Sequence, residues 1–331
     1  VSGKENLAFR GDADVRAPLG DDGTLLLDPQ DIIIQGGSAT SAGNDGQLSD
    51  SKILFADGGS TTDYTISSGK LESLGGNVLL EAQRDIFTTD STGTSPFTID
   101  WASGAGSVTS LTLRANNNIR LDAGITNLNT RGGNLTLSAN ADSIGGGGVT
   151  FGTNLHVDLV GGSLDARGDD IGFGSGVSIS TIGTGGLAFT ADRAAIGGTT
   201  VRLNDVDLTT ENGDITFDVG IGAATGAKLE LFDGTRLATV DGGVRLTNTD
   251  TNGWIFLGDN VGAASSVGST GAGSVTFDGA NLTLVRGGSS ITTASGDITL
   301  LGDTRVALDK GGGTLTTAGG HVKLDSVGSV A

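Results

Sequence analysis

The 331-residue chain has no cysteine and no methionine, three prolines and only 4% aromatic residues. Without cysteine there is no disulfide framework, no iron–sulfur cluster and no thiolate zinc site. Cations are the minority: 19 Lys and Arg stand against 38 Asp and Glu, a formal charge of −19. Such a surface repels phosphate backbones and anionic lipid, so nucleic acid and membrane surfaces are not expected partners. No run of about 18 apolar residues occurs, so membrane insertion by a helix is not expected either. Proline is scarce and glycine does not recur at every third position, which excludes collagen. The chain opens at Val1 with no basic stretch followed by an apolar one, which reads as a processed product or part of a larger polypeptide.

Glycine is what the sequence has in excess, 59 of 331 residues, where ordinary domains carry roughly 7%. The glycines are ordered. A Gly-containing turn precedes a short alternating segment again and again: Gly75-Gly76-Asn77-Val78, Gly132-Gly133-Asn134-Leu135, Gly213-Asp214-Ile215, Gly242-Gly243-Val244, Gly296-Asp297-Ile298 and Gly320-His321-Val322 are examples. The first apolar residues of the ten segments fall at 78, 108, 135, 164, 187, 215, 244, 275, 298 and 322. Their spacing averages about 27 residues, and within each segment the period is 2, which marks strands rather than helices.

Each period holds three such strands. Between Val108 and Leu135 the segments are Leu111–Leu113, Ile119–Leu121 and Ile125–Leu128; after Ile298 they are Ile298–Leu300, Arg305–Leu308 and Leu315–Thr317. One such unit cannot bury its apolar edge alone and must stack on its neighbours. The expected fold is therefore all-β: a parallel β-helix with about three short strands per rung of roughly 27 residues. Apolar residues point inward, and Gly and Asn supply positive φ at the corners; Asn116, Asn134, Asn140 and Asn281 are candidates for turn or ladder positions. At strand spacing of about 4.8 Å, about 12 rungs make a rod on the order of 60 Å. One continuous solenoid is expected. Residues 1–77 would be irregular N-terminal rungs with a protruding loop at about 36–50, and 78–331 regular rungs. A second bulge is expected at 88–96. Neither end shows a helix or a charged cap.

With those residues in view, a resemblance is evident. The stretch Gly23-Thr24-Leu25-Leu26-Leu27-Asp28-Pro29-Gln30-Asp31-Ile32-Ile33-Ile34 is similar to the segment that follows the secretion domain in filamentous-haemagglutinin-type exoproteins, the adhesins exported by two-partner secretion. Units such as Leu111-Thr112-Leu113-Arg114-Ala115-Asn116-Asn117-Asn118-Ile119-Arg120-Leu121 resemble their repeats. The resemblance implies a right-handed β-helix, an extracellular or bacterial cell-surface location, and roles in adhesion, biofilm or cell contact. The Asn-Pro-Asn motif of the secretion domain is absent.

Chemical sites are sparse. The pairs Asp21-Asp22 and Asp169-Asp170 are candidate acid pairs. Glycosidases hold two carboxyls about 5–10 Å apart in a cleft, whereas adjacent strand residues point to opposite faces, and Trp101, Trp254 and Tyr64 read as isolated. Gly168-Asp169-Asp170 and Gly43-Asn44-Asp45-Gly46 are the candidate calcium turns, although neither the EF-hand spacing nor a nonapeptide repeat occurs. His156 and His321 are far apart, with no third ligand at metal spacing. Asn134-Leu135-Thr136 and Asn281-Leu282-Thr283 fit the glycan acceptor pattern. Arg114, Arg120, Arg131 and Arg245 are expected to pair with acids on an outer face. Thr-x-Thr positions are mixed with Arg, Asp and Asn, unlike a uniform ice-binding ladder. The reading that follows is a non-enzymatic segment with no catalytic, cofactor or metal site. It would present loops on a rigid rod to surface glycans or proteins. The alternatives are a subunit that stacks head to tail on copies of itself, and a polysaccharide lyase or hydrolase.

Overall fold

A computed structural model describes residues 29–55, 63–74, 76–89, 97–100, 108–121, 125–131, 133–144, 146–192, 200–220, 226–258, 262–309 and 312–330. The described residues are 54% strand and 4% helix, an all-β fold. Its strands form one eleven-stranded, one nine-stranded and two six-stranded sheets, and every strand pairing is parallel.

The chain visits these sheets in a fixed order. Asn134–Ser138 joins the eleven-stranded sheet, Gly148–Phe151 the first six-stranded sheet and His156–Val160 the nine-stranded sheet. Leu164–Gly168, Asp170–Phe173 and Ser178–Ile182 then repeat the circuit, each pairing with its counterpart one repeat earlier. From Leu187–Ala191 onward the middle strand of each repeat, beginning with Thr200–Asn204, belongs to the second six-stranded sheet.

Register turns the sequence repeat into ladders. In the eleven-stranded sheet Val78 pairs with Leu111, and the line continues through Leu135, Leu164, Leu187, Ile215, Val244, Val275, Ile298 and Val322. All but Val322 are buried, because alternate residues face inward. The expected anchor Val108 is displaced: it pairs with Gly76, and a bulge after Gly76 brings Leu111 into the line instead. A bulge adds one residue and shifts the alternation by one, which is why Val108 and Leu111 stand three apart.

Two residues along the strand, a second inward line runs Ala166, Phe189, Phe217, Leu246, Phe277 and Leu300. Phe189 and Phe217 stack with ring centroids 4.6 Å apart, and Phe173 meets Phe189 edge-on at 5.3 Å. Ala166 occupies the same line where Phe151 and Phe173, from a neighbouring sheet, stack at 5.2 Å. Small and large residues thus share a narrow interior.

The corner between the nine- and eleven-stranded sheets is built from three adjacent rows. The first is a hydroxyl row, Thr181, Thr210, Thr239, Ser269 and Thr293, paired strand to strand and buried. Thr181 Oγ1 donates to the Gly185 carbonyl at 2.6 Å and Thr293 Oγ1 to the Gly296 carbonyl at 2.5 Å. Thr210 and Thr239 donate likewise to Gly213 and Gly242. The second row is glycine: Gly162, Gly185, Gly213, Gly242, Gly273, Gly296 and Gly320. A β-carbon on any of them would lie 1.7–2.1 Å from the carbonyl oxygen of the glycine before it in the row. None of these seven has a positive φ, so close stacking, rather than the left-handed conformation expected from the sequence, is what requires glycine here. The third row is polar and joins consecutive repeats. Asn134 Oδ1 accepts from the Ser163 amide at 2.9 Å, Asp214 Oδ1 from Gly243 at 2.7 Å and Asp297 Oδ1 from His321 at 2.8 Å.

The first described residues depart from this order. Ile32–Gln35 lies between Ile86–Thr89 and Tyr64–Ser67, so the later strand Tyr64–Ser67 forms the sheet edge. Beside it stand a 3₁₀ helix, Asp45–Asp50, and a one-turn α-helix, Ser68–Glu72, capped by Ser67. Leu48 and Leu71 are fully buried. Asp45 accepts from the Ser67 amide at 2.7 Å and the Ser67 hydroxyl at 2.8 Å. Within the segment expected to protrude, at about 36–50, Ala42, Asp45 and Leu48 are buried and the 3₁₀ helix is otherwise exposed. Helices of five and six residues are too short to show a 3.6-residue period. Residues 1–28, with Leu25–Leu27, and residues 90–96 of the second expected bulge lie outside the described residues.

Candidate functional site

Among the described residues six carboxylates are buried, and their partners differ. Asp31 pairs with Arg84, Glu81 with Arg114 at 2.7 Å and Glu230 with Arg202 at 2.5 Å. The Asp31 hydrogen bond holds the Arg84 guanidinium above its ordinary pKa. Asp45 caps backbone and hydroxyl donors, and Asp250 accepts from the Ala227 amide at 2.6 Å and the Asn252 amide at 3.1 Å. Asp169, only 7% exposed, stands apart. Among the described residues its side chain accepts one hydrogen bond, from Asn140 Nδ2 at 2.8 Å.

Asp169 lines a cleft of about 500 Å³ whose walls include Asn117, Asn118, Gly146–Gly148, Asp170 and Thr200. The cleft opens where the middle strand of each repeat passes from one six-stranded sheet to the other, between Asp170–Phe173 and Thr200–Asn204. Its walls are polar and rich in backbone. Asn117 and Asn118 are held by Asp85, whose Oδ1 accepts from both side-chain amides at 2.9 and 3.0 Å. Asn118 Oδ1 in turn accepts from the Gly148 amide at 3.1 Å. A β-carbon on Gly147 would sit 2.1 Å from the Asn117 carbonyl oxygen, so only glycine passes there. Asp169 occupies the bend between Leu164–Gly168 and Asp170–Phe173 and is buried, whereas Asp170, the first residue of the next strand, is exposed. Among the described residues, no three His, Cys, Asp or Glu side chains gather at a metal-binding distance.

The other sequence candidates are scattered. Asp21-Asp22 and Trp101 lie outside the described residues, as does the side chain of Arg131. His156 is exposed on the nine-stranded sheet and His321 on the eleven-stranded one, where its ring lies 3.4 Å from Asp297. Arg114 pairs with Glu81, but Arg120 lies over the Phe87 ring at 5.5 Å and Arg245 donates to Thr247 at 3.1 Å. Trp254 is not isolated. It meets Phe256 edge-on at 5.5 Å, with Lys228 5.1 Å from its ring centre. With Leu284 and Ala307 these rings form a second apolar cluster outside the main core. Strand register gathers it from residues 23 and 28 apart, which no local pattern displays. On the outer face of the nine-stranded sheet, Asp207 and Arg236 pair at 2.9 Å and interrupt a row that otherwise holds Ser178, Ser266, Ser290 and Thr314.

Among the described residues, no helix is long and apolar enough to cross a membrane. No family model, curated protein or solved structure matches the chain.

Proposed function

We propose that the chain is a right-handed parallel β-helix serving as a non-catalytic structural and adhesive segment of an extracellular or bacterial cell-surface fibre, of the filamentous-haemagglutinin type. The observation that carries this reading is the ladder from Val78 to Val322, in which equivalent positions of ten repeats pair in parallel register. A chain that stacks equivalent positions in this way gains length with each repeat and depends only on neighbouring repeats for stability. Such a rod holds its outer side chains at fixed spacing, which suits contact with an extended partner such as a surface glycan or protein. Function still resides in sites on the fold and not in the fold itself.

Electron microscopy of the negatively stained chain tests the shape, and a panel of glycans and host-cell surface proteins tests the adhesion. Separate rods on the order of 60 Å long, together with saturable binding to a member of the panel, are the expected outcome. Globular particles would overturn the β-helix. Long uniform fibres would replace the adhesive reading with a filament subunit, and release of unsaturated or reducing ends from polysaccharide would replace it with an enzyme.

A further inference from the structure

Buried carboxylates are almost always paired. Five of the six in this protein have a guanidinium or two or more hydrogen-bond donors, and Asp169 has one amide. Its donor partner is itself incomplete: Asn140 Oδ1 is buried and meets no donor. Asn140 is locked in place by a left-handed backbone, φ 52°, and its amide nitrogen is committed to Asp169 Oδ1. Asp169 Oδ2 lies against Gly146, where a β-carbon would approach it to 3.3 Å. The surroundings thus offer an excess of oxygen acceptors with no cationic side chain among the cleft residues.

We propose that a calcium ion binds at the edge of this cleft, between the Asp169 carboxylate that lines it and the unpartnered side-chain oxygen of Asn140, which stands behind Asp169 and is hydrogen-bonded to it, with the remaining ligands drawn from cleft oxygens and water. The donor chemistry selects the metal. Calcium accepts about 6–8 oxygen ligands in loose geometry, including carbonyl and amide oxygens, whereas magnesium demands a tight octahedron and retains its water. Zinc would require nitrogen or sulfur ligands, and the cleft has no histidine or cysteine. The other candidate turn, at Asp45, is different: both of its carboxylate oxygens are occupied by Ala42 and Ser67 donors. A cation at Asp169 would join the segment around Gly146–Gly148 to the strand beginning at Asp170, at the seam where one six-stranded sheet gives way to the other.

The test is thermal unfolding and titration calorimetry of the EDTA-stripped chain in 0.15 M NaCl, with calcium chloride or magnesium chloride as the probe. Calcium is expected to raise the unfolding temperature by about 3 °C at a hundredfold excess over its dissociation constant. Magnesium at the same concentration is expected to have no effect. Asp169→Asn should be at least as stable as the parent in EDTA, because it removes an uncompensated buried charge, and should lose the calcium response. Asn140→Gly, which suits the positive φ, should weaken calcium binding at least tenfold. The exposed variant Asp165→Asn should respond as the parent does. No calcium shift in the parent, an equal magnesium shift, or a full calcium response in both Asp169→Asn and Asn140→Gly would overturn the proposal. None of these outcomes depends on whether the rod is adhesive.

Discussion

Gly242 lies so close over Gly213 that a β-carbon on Gly242 would stand 1.9 Å from the Gly213 carbonyl oxygen. The obstacle is backbone of the adjacent repeat, which cannot rotate aside as a side chain can. Gly242→Ala must therefore push two repeats apart, at a cost of roughly 2–3 kcal/mol. Gly46→Ala has open space, with nothing within 4 Å, and serves as the neutral comparison. Urea unfolding midpoints of the two variants check this. Equal midpoints would mean that the corner row is not sterically closed.

The hydroxyl row makes a second, milder contribution. Thr239 is buried, and its Oγ1 donates to the Gly242 carbonyl. Thr239→Val keeps the shape and removes the donor, leaving a corner carbonyl short of a partner, and is expected to cost about 1–2 kcal/mol. Thr210 is its partner in the strand register and makes the same bond to Gly213. Thr210→Val combined with Thr239→Val should therefore depart from additivity. A double-mutant cycle by calorimetry measures the departure.

The phenylalanine stack concentrates packing energy in the middle repeats. Phe217 is 1% exposed and stacks on Phe189 with an interplanar angle of 18°. Phe217→Ala opens a cavity that neighbouring strands cannot close, since their spacing is fixed by hydrogen bonds, and should cost about 3–5 kcal/mol. Phe217→Leu matches the residue that already stands at Leu246, one repeat later in the same line, and should be tolerated far better. Amide exchange should quicken around residues 187–219 in Phe217→Ala before it does near the ends of the described chain, because each repeat is stabilised mainly by its neighbours.

The strands and their parallel stacking were legible because they depend on local alternation and a recurring turn. Leu135, Leu164 and Leu187 each follow a glycine-containing turn at similar spacing, and register aligns them as that spacing implies. What glycine does there is not legible, because sequence does not distinguish a residue needed for positive φ from one needed for contact with Gly213 or Gly242. The Thr-x-x-Gly spacing of Thr210–Gly213, Thr239–Gly242 and Thr293–Gly296 is the sequence signal of the corner. The polar cleft is signalled only in part, by the turn Gly168-Asp169-Asp170 and by Asn140 taken singly. Asn117, Asn140 and Asp169 stand in three different repeats and meet only through register, and the unmet hydrogen-bonding capacity of Asp169 becomes visible only beside its better-paired counterparts.

The junction of Asp297 and His321 makes a prediction about pH. The Asp297 carboxyl is held below its ordinary range first by the His321 backbone amide, which donates to it, and second by the His321 ring. Hydrogen bonds to the charged form lower the pKa, and a carboxyl so lowered favours the folded chain when ionised. That contribution is complete above the unfolded value, about 3.9, and is lost as pH falls through the lower folded value. Its pH dependence is therefore confined to the acid range, and at neutral pH the contribution is fully present and constant. NMR titration of the Asp297 carboxyl should give a midpoint below about 3.9. His321→Ala removes the ring but keeps the amide, so the midpoint should rise only part of the way. A full return to the ordinary value in His321→Ala would assign the effect to the imidazole and not to the backbone bond between the two repeats.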